Sequence, residues 1–194
     1  MPATTLIASE DGWVSQLHPD DNFITDRNGL TIGHAGTSAS HNICRAWIKF
    51  DLSSLVGCTI NSAVLSLADY TGYFYDTIHI FGCTNNNWNE NTITWNTAPD
   101  SDVGNIMLGY FQRDGDPGVE MTQIFNISVT SAIASSLSSG KVSFRLDADD
   151  GGAYNRISTH RYVQSPMYSS LYVEYTAGSV PIPKTGFFNL LARR

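Results

Sequence analysis

One predicted strand, residues 44–51, carries two cationic side chains and a tryptophan on the same face. Because successive side chains of a strand point to opposite faces, Arg45, Trp47 and Lys49 share this face. A second predicted strand places Arg145 on its polar face in the same way. Arginine makes bidentate contacts with carboxylates, and aromatic rings stack on sugars. In a chain of net charge -7, these residues predict a cationic, aromatic groove for an acidic glycan.

The same cations could instead serve the fold. Asp51, Asp147 and Glu174 also lie on predicted strands, where they could form cross-strand ion pairs with the basic residues. Exposed pairs of this kind contribute only about 0–1 kcal/mol to stability. Alternation alone does not separate a ligand-binding face from an outward-facing row of ion pairs, so both interpretations stay open.

Further aromatic residues lie in predicted turns and loops. Tyr70, Tyr73 and Tyr75 surround a glycine-containing turn, where exposed aromatic rings are hard to explain by folding, so they are candidates for contact with a glycan or protein partner. Trp88 and Trp95 lie in one long loop. They could be sugar platforms, but large aromatics in such loops more often cap a core, and the cap is the favoured interpretation.

Catalytic motifs are scarce in this sequence. The five histidines are scattered, and no HExxH, GxSxG or P-loop pattern occurs, so no enzyme and no catalytic residue is predicted. The densest carboxylate group consists of Asp147, Asp149 and Asp150, followed by two glycines. Calcium takes several oxygen ligands from such a loop, so a weak structural Ca²⁺ site is one interpretation and a solvated turn is the other. No other cofactor is implied.

Short strand-like runs separated by turn residues fill most of the chain. A helix is predicted at 128–137, with Ser128 as its N-cap and Gly140 beyond its end. Many short strands without intervening helices predict an all-β, antiparallel jelly-roll β-sandwich with one short helix. The predicted strands are residues 4–8, 13–16, 30–32, 44–51, 62–70, 77–83, 106–112, 119–127, 141–147, 156–162 and 169–175.

Charge and hydropathy limit the partners and the location. The net charge of -7 argues against nucleic acid as a partner, because phosphate binding needs a clustered cationic surface. No run approaches the ~18 apolar residues of a membrane span.

Cys44, Cys58 and Cys83 allow either one disulfide with a free thiol or three buried thiols. No leader segment is visible, so either a signal was removed or the protein reaches its destination without one, as a virion protein would. A charged fraction of only 15% is common in extracellular and virion β-proteins, so a virion, extracellular or cell-surface location is expected.

The sandwich is predicted to occupy residues 1–177, with a proline-containing linker and an apolar tail at 178–194. Exposed apolar surface costs about 25 cal/mol per Å², so the tail is expected to dock on its own sandwich or on a neighbouring subunit. The apolar residues of the tail are Phe187, Phe188, Leu190 and Leu191.

Four blocks of sequence resemble the DNRLRE-type domain family, and the resemblance spans most of residues 4–176. They are RAWIKFDLSSL at 45–55, CTINSAVLSL at 58–67, WNENTITWNTAP at 88–99, and the closing segment that runs from Arg161 to LYVEY at 171–175. The resemblance implies a jelly-roll sandwich of surface and secreted proteins. Some members of the family are carbohydrate-binding modules, including alginate binders, and no catalysis is implied.

Two functions are compatible with these observations. The first is a non-enzymatic structural or surface subunit of a virion or extracellular assembly, held to copies of itself or to other subunits by the tail. The alternative is a free-standing module that binds an acidic polysaccharide or mediates adhesion. The assembly role is placed slightly ahead, because the short, unattached chain carries an apolar tail that needs a docking surface.

Overall fold

A computed structural model describes residues 1–25, 29–35, 42–72, 77–99, 103–112, 124–149, 154–157 and 168–178 of the protein. Within these ranges the chain forms strands and one short α-helix, which confirms the predicted all-β antiparallel sandwich with one short helix. The elements are β1 (Ala3–Ile7), β2 (Glu10–Ser15), β3 (Leu30–Ala35), β4 (Asn42–Asp51), β5 (Thr59–Gly72), β6 (Thr77–Cys83), β7 (Val103–Gln112), β8 (Ile124–Ser128), α1 (Thr130–Ser136), β9 (Lys141–Ala148), β10 (Tyr154–Ile157) and β11 (Ser170–Thr176).

The strands form two sheets that are connected through β5. In the first sheet, β5 pairs with β11 on one edge and β8 on the other, and β1 extends the sheet beyond β11. In the second sheet the order is β10, β3, β4, β9, β6 and β7, with β2 paired to β4 as well. The last residues of the 14-residue strand β5 pair with β10, so this long strand belongs to both sheets.

The main core lies between the two sheets and follows the period-two pattern of the sequence. Alternate residues in the middle of β4, β5 and β9 are at most 1% exposed, because each strand turns one face toward the opposite sheet. The apolar face predicted for residues 44–51 is therefore confirmed. The buried residues of these three strands include Ala46, Ile48, Phe50, Ala63, Leu65, Leu67, Val142, Phe144 and Leu146.

The helix is anchored by the first sheet and not by a side-chain cap of its own. It begins one residue later than a Ser128 N-cap requires: Val129 is the N-cap residue and makes no side-chain cap hydrogen bond. The backbone N–H of Ala63 on β5 donates to Thr130 Oγ1 at 2.9 Å, and this contact fixes the start of the helix. Gly140 follows with a left-handed φ of 66°, in agreement with its predicted place beyond the helix end.

The three cysteines are free thiols, but only Cys44 and Cys83 are buried, whereas Cys58 is half-buried, so the expectation of three buried thiols holds for two of them. None of the helices in the described ranges is long and apolar enough to cross a bilayer. Residues 179–194 fall outside those ranges, so the linker and the apolar tail of Phe187, Phe188, Leu190 and Leu191 stay predictions.

Candidate functional site

The loop that follows β6 covers part of the outer face of the second sheet. Trp88 and Ile93 of this loop pack with Val14 and Cys83 around Trp47, and together they form a second buried cluster. Trp88 is 7% exposed, and its Nε1–H donates to the buried hydroxyl of Ser143 at 3.0 Å. Trp88 is therefore a cap over a core, as the favoured interpretation of this loop predicts.

Lys49 connects this loop to the sheet. Its side chain is 3% exposed, and its ammonium donates to Glu10 Oε1 at 2.8 Å and to the carbonyl oxygen of Trp88. The ammonium also lies 4.4 Å from the centroid of the Trp88 ring. Glu10 Oε2 in turn accepts the backbone N–H of Glu90 at 3.1 Å. A buried ion pair on β2 and β4 thus holds the covering loop in place.

These contacts correct the expectation that the whole polar face of residues 44–51 is open to a ligand. Trp47 is fully buried, so its ring is not available to stack on a sugar, and Lys49 is neutralised by Glu10 beneath the loop. The physical reason is that alternation assigns a side chain to a face but does not reveal what covers that face. Arg45, near the other end of the strand, keeps 23% of its side chain exposed.

Five side chains form what we call the guanidinium–aromatic patch: Phe81, Arg145, Asp147, Arg45 and Trp95. Asp147 Oδ2 lies 3.1 Å from Arg45 Nε and 3.4 Å from an η nitrogen of Arg145. The guanidinium carbon of Arg45 lies 5.2 Å from the Trp95 ring centroid, and that of Arg145 lies 4.9 Å from the Phe81 centroid. One carboxylate and two rings therefore position both guanidinium groups.

The charged side chains of the patch are mostly shielded from solvent, but each keeps some exposed surface. The side chains of Arg45, Arg145 and Asp147 are 23%, 13% and 15% exposed, respectively. Among the five side chains of the patch, two guanidinium groups face one carboxylate. One cross-strand ion pair weighed from the sequence is present, between Arg45 of β4 and Asp147 of β9, but it lies in a partly buried cluster and not in a fully exposed row.

Polar and aromatic groups of β3, β6 and β7, and of the residue after β9, border the patch. His79 Nε2 lies 2.7 Å from Asp149 Oδ1, and its Nδ1 lies 3.1 Å from the sulfur of Met107. His34 Nε2 approaches Asp147 Oδ1 to 4.0 Å. Tyr110, opposite His79 on β7, is 62% exposed. This border offers hydrogen-bonding groups and an exposed ring beside the cationic centre.

The carboxylates considered for calcium have other partners. Asp147 faces the two guanidinium groups, and Asp149 faces His79, whereas Asp150 lies outside the described residues. Across the described ranges, no group of three or more His, Cys, Asp or Glu side chains is arranged to hold a metal ion. The calcium site stays a prediction that requires Asp150 and its neighbours.

The tyrosine turn also lies largely outside the residue ranges that the structure describes. Tyr70 belongs to β5, but its side chain is not described, and Tyr73 and Tyr75 fall in an undescribed segment. Their contact with a glycan stays a prediction.

Sequence reasoning missed Phe81 as a partner of Arg145. The alternation of His79 and Phe81 on the polar face of residues 77–83 was the signal that could have revealed it.

A family model for carbohydrate-binding module family 96 matches residues 2–167. The chain therefore belongs to carbohydrate-binding module family 96. The match confirms the carbohydrate-binding-module part of the sequence resemblance and leaves the DNRLRE-type name unconfirmed. No curated protein matches the chain. Modules of such families are generally non-catalytic, in agreement with the absence of catalytic motifs in the sequence.

Proposed function

We propose that the protein is a non-catalytic module that binds an acidic polysaccharide at the guanidinium–aromatic patch. One observation carries this proposal: Arg45 and Arg145 are held side by side by Asp147 and are seated on Trp95 and Phe81 at a partly exposed position. Membership of a carbohydrate-binding module family supports a glycan as the ligand. The two guanidinium groups favour a glycan that carries carboxylates, such as a polyuronate, because arginine makes bidentate contacts with carboxylates.

The arrangement favours binding because the two cations are already ordered. A flexible arginine loses side-chain freedom when it binds, at a cost of about 0.5–1.5 kcal/mol for each immobilised side chain. Here, Asp147 and the aromatic rings limit that freedom before the ligand arrives. The two guanidinium groups lie on the neighbouring strands β4 and β9, where Trp47 is paired with Arg145. They can therefore contact one carboxylate together or successive sugars of one chain.

The assembly role receives less support than glycan binding. The family match concerns carbohydrate-binding modules and does not point to a virion subunit. The tail that would connect subunits lies outside the described residues. We therefore place the glycan-binding function first, and we propose an extracellular or cell-surface location because acidic polysaccharides occur there.

Affinity electrophoresis in gels that contain polymannuronate, polyguluronate or a neutral β-glucan tests this proposal. The wild-type protein should be retarded by at least one polyuronate. Arg45→Gln and Arg145→Gln should each weaken binding by about tenfold or more, because a hydrogen bond to a charged group contributes about 1.5–3 kcal/mol. The control is Lys141→Gln, which removes the same charge from an exposed position on β9 and should leave binding unchanged.

Thermal denaturation of each variant verifies that it is folded. Two results would overturn the proposal: no retardation by any acidic glycan at low salt, or an equal loss of binding in the Lys141→Gln control. Retardation by the neutral glucan alone would reject the acidic class of ligand. In that case, a loss of neutral-glucan binding when Trp95 is replaced would still locate the site at this patch.

A further inference from the structure

The guanidinium–aromatic patch continues as a row of side chains across the outer face of the second sheet. Tyr110 of β7 is paired with His79 of β6, and His79 is paired with Asp147 of β9. Asp147 Oδ2 in turn lies 3.1 Å from Nε of Arg45 on β4. Side chains at paired positions of neighbouring strands lie on the same face of a sheet. The four residues therefore form one row across the adjacent strands β4, β9, β6 and β7.

The row has an aromatic ring at each end. The guanidinium carbon of Arg45 lies 5.2 Å from the Trp95 ring centroid, and Tyr110, at the opposite end, is 62% exposed. Neighbouring strands lie about 4.8 Å apart, so three such spacings separate the backbones of β4 and β7 by about 14 Å. This distance exceeds the length of a single sugar. A ligand that contacts both ends of the row must therefore be an oligosaccharide.

Tyr110 is held in position although it is exposed. The centroids of its ring and of the His79 ring are 6.3 Å apart at an interplanar angle of 48°, within the range of favourable aromatic pairs. His79 is itself fixed through both ring nitrogens, because Nε2 lies 2.7 Å from Asp149 Oδ1 and Nδ1 lies 3.1 Å from the sulfur of Met107. A tyrosine has only two χ angles, so a supported ring loses little freedom on binding. Such a ring is suited to stack on the face of a sugar.

The loop that covers β4 limits the direction in which a glycan can extend from the arginines. Along β4 the outer face is closed beyond Arg45, because Trp47 is fully buried and the side chain of Lys49 is 3% exposed beneath the loop. Across the strands, the side chain of His79 is 23% exposed and Tyr110 is 62% exposed. A chain that starts at Arg45 therefore meets accessible side chains when it crosses β9 and β6 toward β7.

We infer that the glycan lies across the strands, from Arg45 to Tyr110, and that Tyr110 stacks on a sugar beyond those that the two arginines contact. This placement rests on the proposed glycan-binding function and adds a specificity-determining residue to it. The ligand is then an acidic oligosaccharide, and not a single uronate or an isolated chain end. Tyr110 recognises the ring face of its sugar and not a charge, so affinity increases with chain length after the contacts to the arginines are complete.

NMR titrations with the disaccharide and the hexasaccharide of the polyuronate that retards the wild-type protein test this placement. Tyr110→Ala should lower the affinity for the hexasaccharide by about fivefold, the effect of one aromatic stacking contact, and should leave the affinity for the disaccharide unchanged. Tyr110→Phe keeps the ring and should keep the dependence on chain length. The matched control is Tyr172→Ala, which removes a tyrosine that is 39% exposed on β11 of the first sheet and should change neither affinity. Thermal denaturation verifies that each variant is folded.

Three results would overturn the placement of the glycan on Tyr110. An unchanged hexasaccharide affinity in Tyr110→Ala would remove Tyr110 from the site and leave the two arginines as its centre. An equal loss for both oligosaccharides would mean that Tyr110 acts on the structure of the patch, and an equal loss in Tyr172→Ala would mean that the effect is not local. Failure of the proposed function gives a different result: Arg45→Gln and Arg145→Gln would then leave both affinities unchanged, or the wild-type protein would bind neither oligosaccharide, and the placement would be wrong as well.

Discussion

Replacing Glu10 by Gln should destabilise the protein more than replacing its partner Lys49 by Met. The Lys49 ammonium lies 2.8 Å from Glu10 Oε1, in a side chain that is only 3% exposed. At an effective dielectric constant of about 20, this separation corresponds to an attraction of about 6 kcal/mol between unit charges. The cost of desolvating the ammonium offsets part of this attraction in the native protein. Removal of the carboxylate charge leaves that cost without compensation.

We expect Glu10→Gln to lower the free energy of unfolding by about 3 kcal/mol, the lower end of the range for breaking a buried pair. The lower end applies because the Glu10 side chain is 23% exposed and water reaches the carboxylate. Lys49→Met should cost about 1–2 kcal/mol, because it removes the buried charge and leaves chiefly the carbonyl oxygen of Trp88 without its donor. Combined, the two changes should cost less than the sum of their separate effects.

Urea unfolding, followed by tryptophan fluorescence, measures these differences because Trp88 adjoins the Lys49 ammonium. Lys141→Met is the control, since it removes an exposed lysine and should change stability by no more than about 0.5 kcal/mol. A cost below about 1 kcal/mol for Glu10→Gln would refute the reasoning, as would a larger cost for Lys49→Met. Either result would mean that water, and not Glu10, balances the charge of Lys49.

Two further predictions concern stability. Gly109→Ala should cost about 1–3 kcal/mol, because its methyl group would lie 2.6 Å from Ile127 Cγ2. Thermal denaturation should show a smaller cost in an Ile127→Ala background, and equal costs would contradict the clash. The Ser53 backbone N–H, 2.8 Å from Asp51 Oδ1, together with a bond to the Ser53 side chain, lowers the pKa of Asp51. This stabilisation is present above the ordinary aspartate pKa and is lost as pH falls through the lowered folded pKa. Asp51→Ala should therefore lower the urea midpoint at pH 7, and the gap should close in acid; a gap that widens in acid would count against it.

Alternation in the sequence predicted the strands and the inner face of the sandwich because both depend on local geometry. The strand predicted at 44–51 corresponds to β4, and its inward residues Ala46, Ile48 and Phe50 are fully buried. A period of two positions is sufficient for this inference, since burial of one face is the main requirement for a strand in a sandwich. Strand ends were less accurate, because pairing extends the strands into residues of low strand propensity.

The outer face of β4 could not be predicted in the same way because its cover comes from distant sequence. Lys49 and Trp88 are separated by 39 positions, and no local pattern indicates that they meet. The same limitation applies to Asp147, which the sequence suggested as a calcium ligand and which the structure places between two guanidinium groups. Such assignments depend on strand order, which brings β9 between β4 and β6.

The central claim is that Arg45 and Arg145 bind the glycan, and arginine Nε–H resonances in ¹H–¹⁵N NMR spectra report on these two side chains directly. Titration with a short polyuronate should shift the Nε–H signals of Arg45 and Arg145 in a saturable manner, while the Lys141 backbone amide on β9 stays unchanged. A neutral oligosaccharide of equal length should produce no comparable shift. Saturable binding of the polyuronate that leaves both arginine signals unchanged would contradict the account.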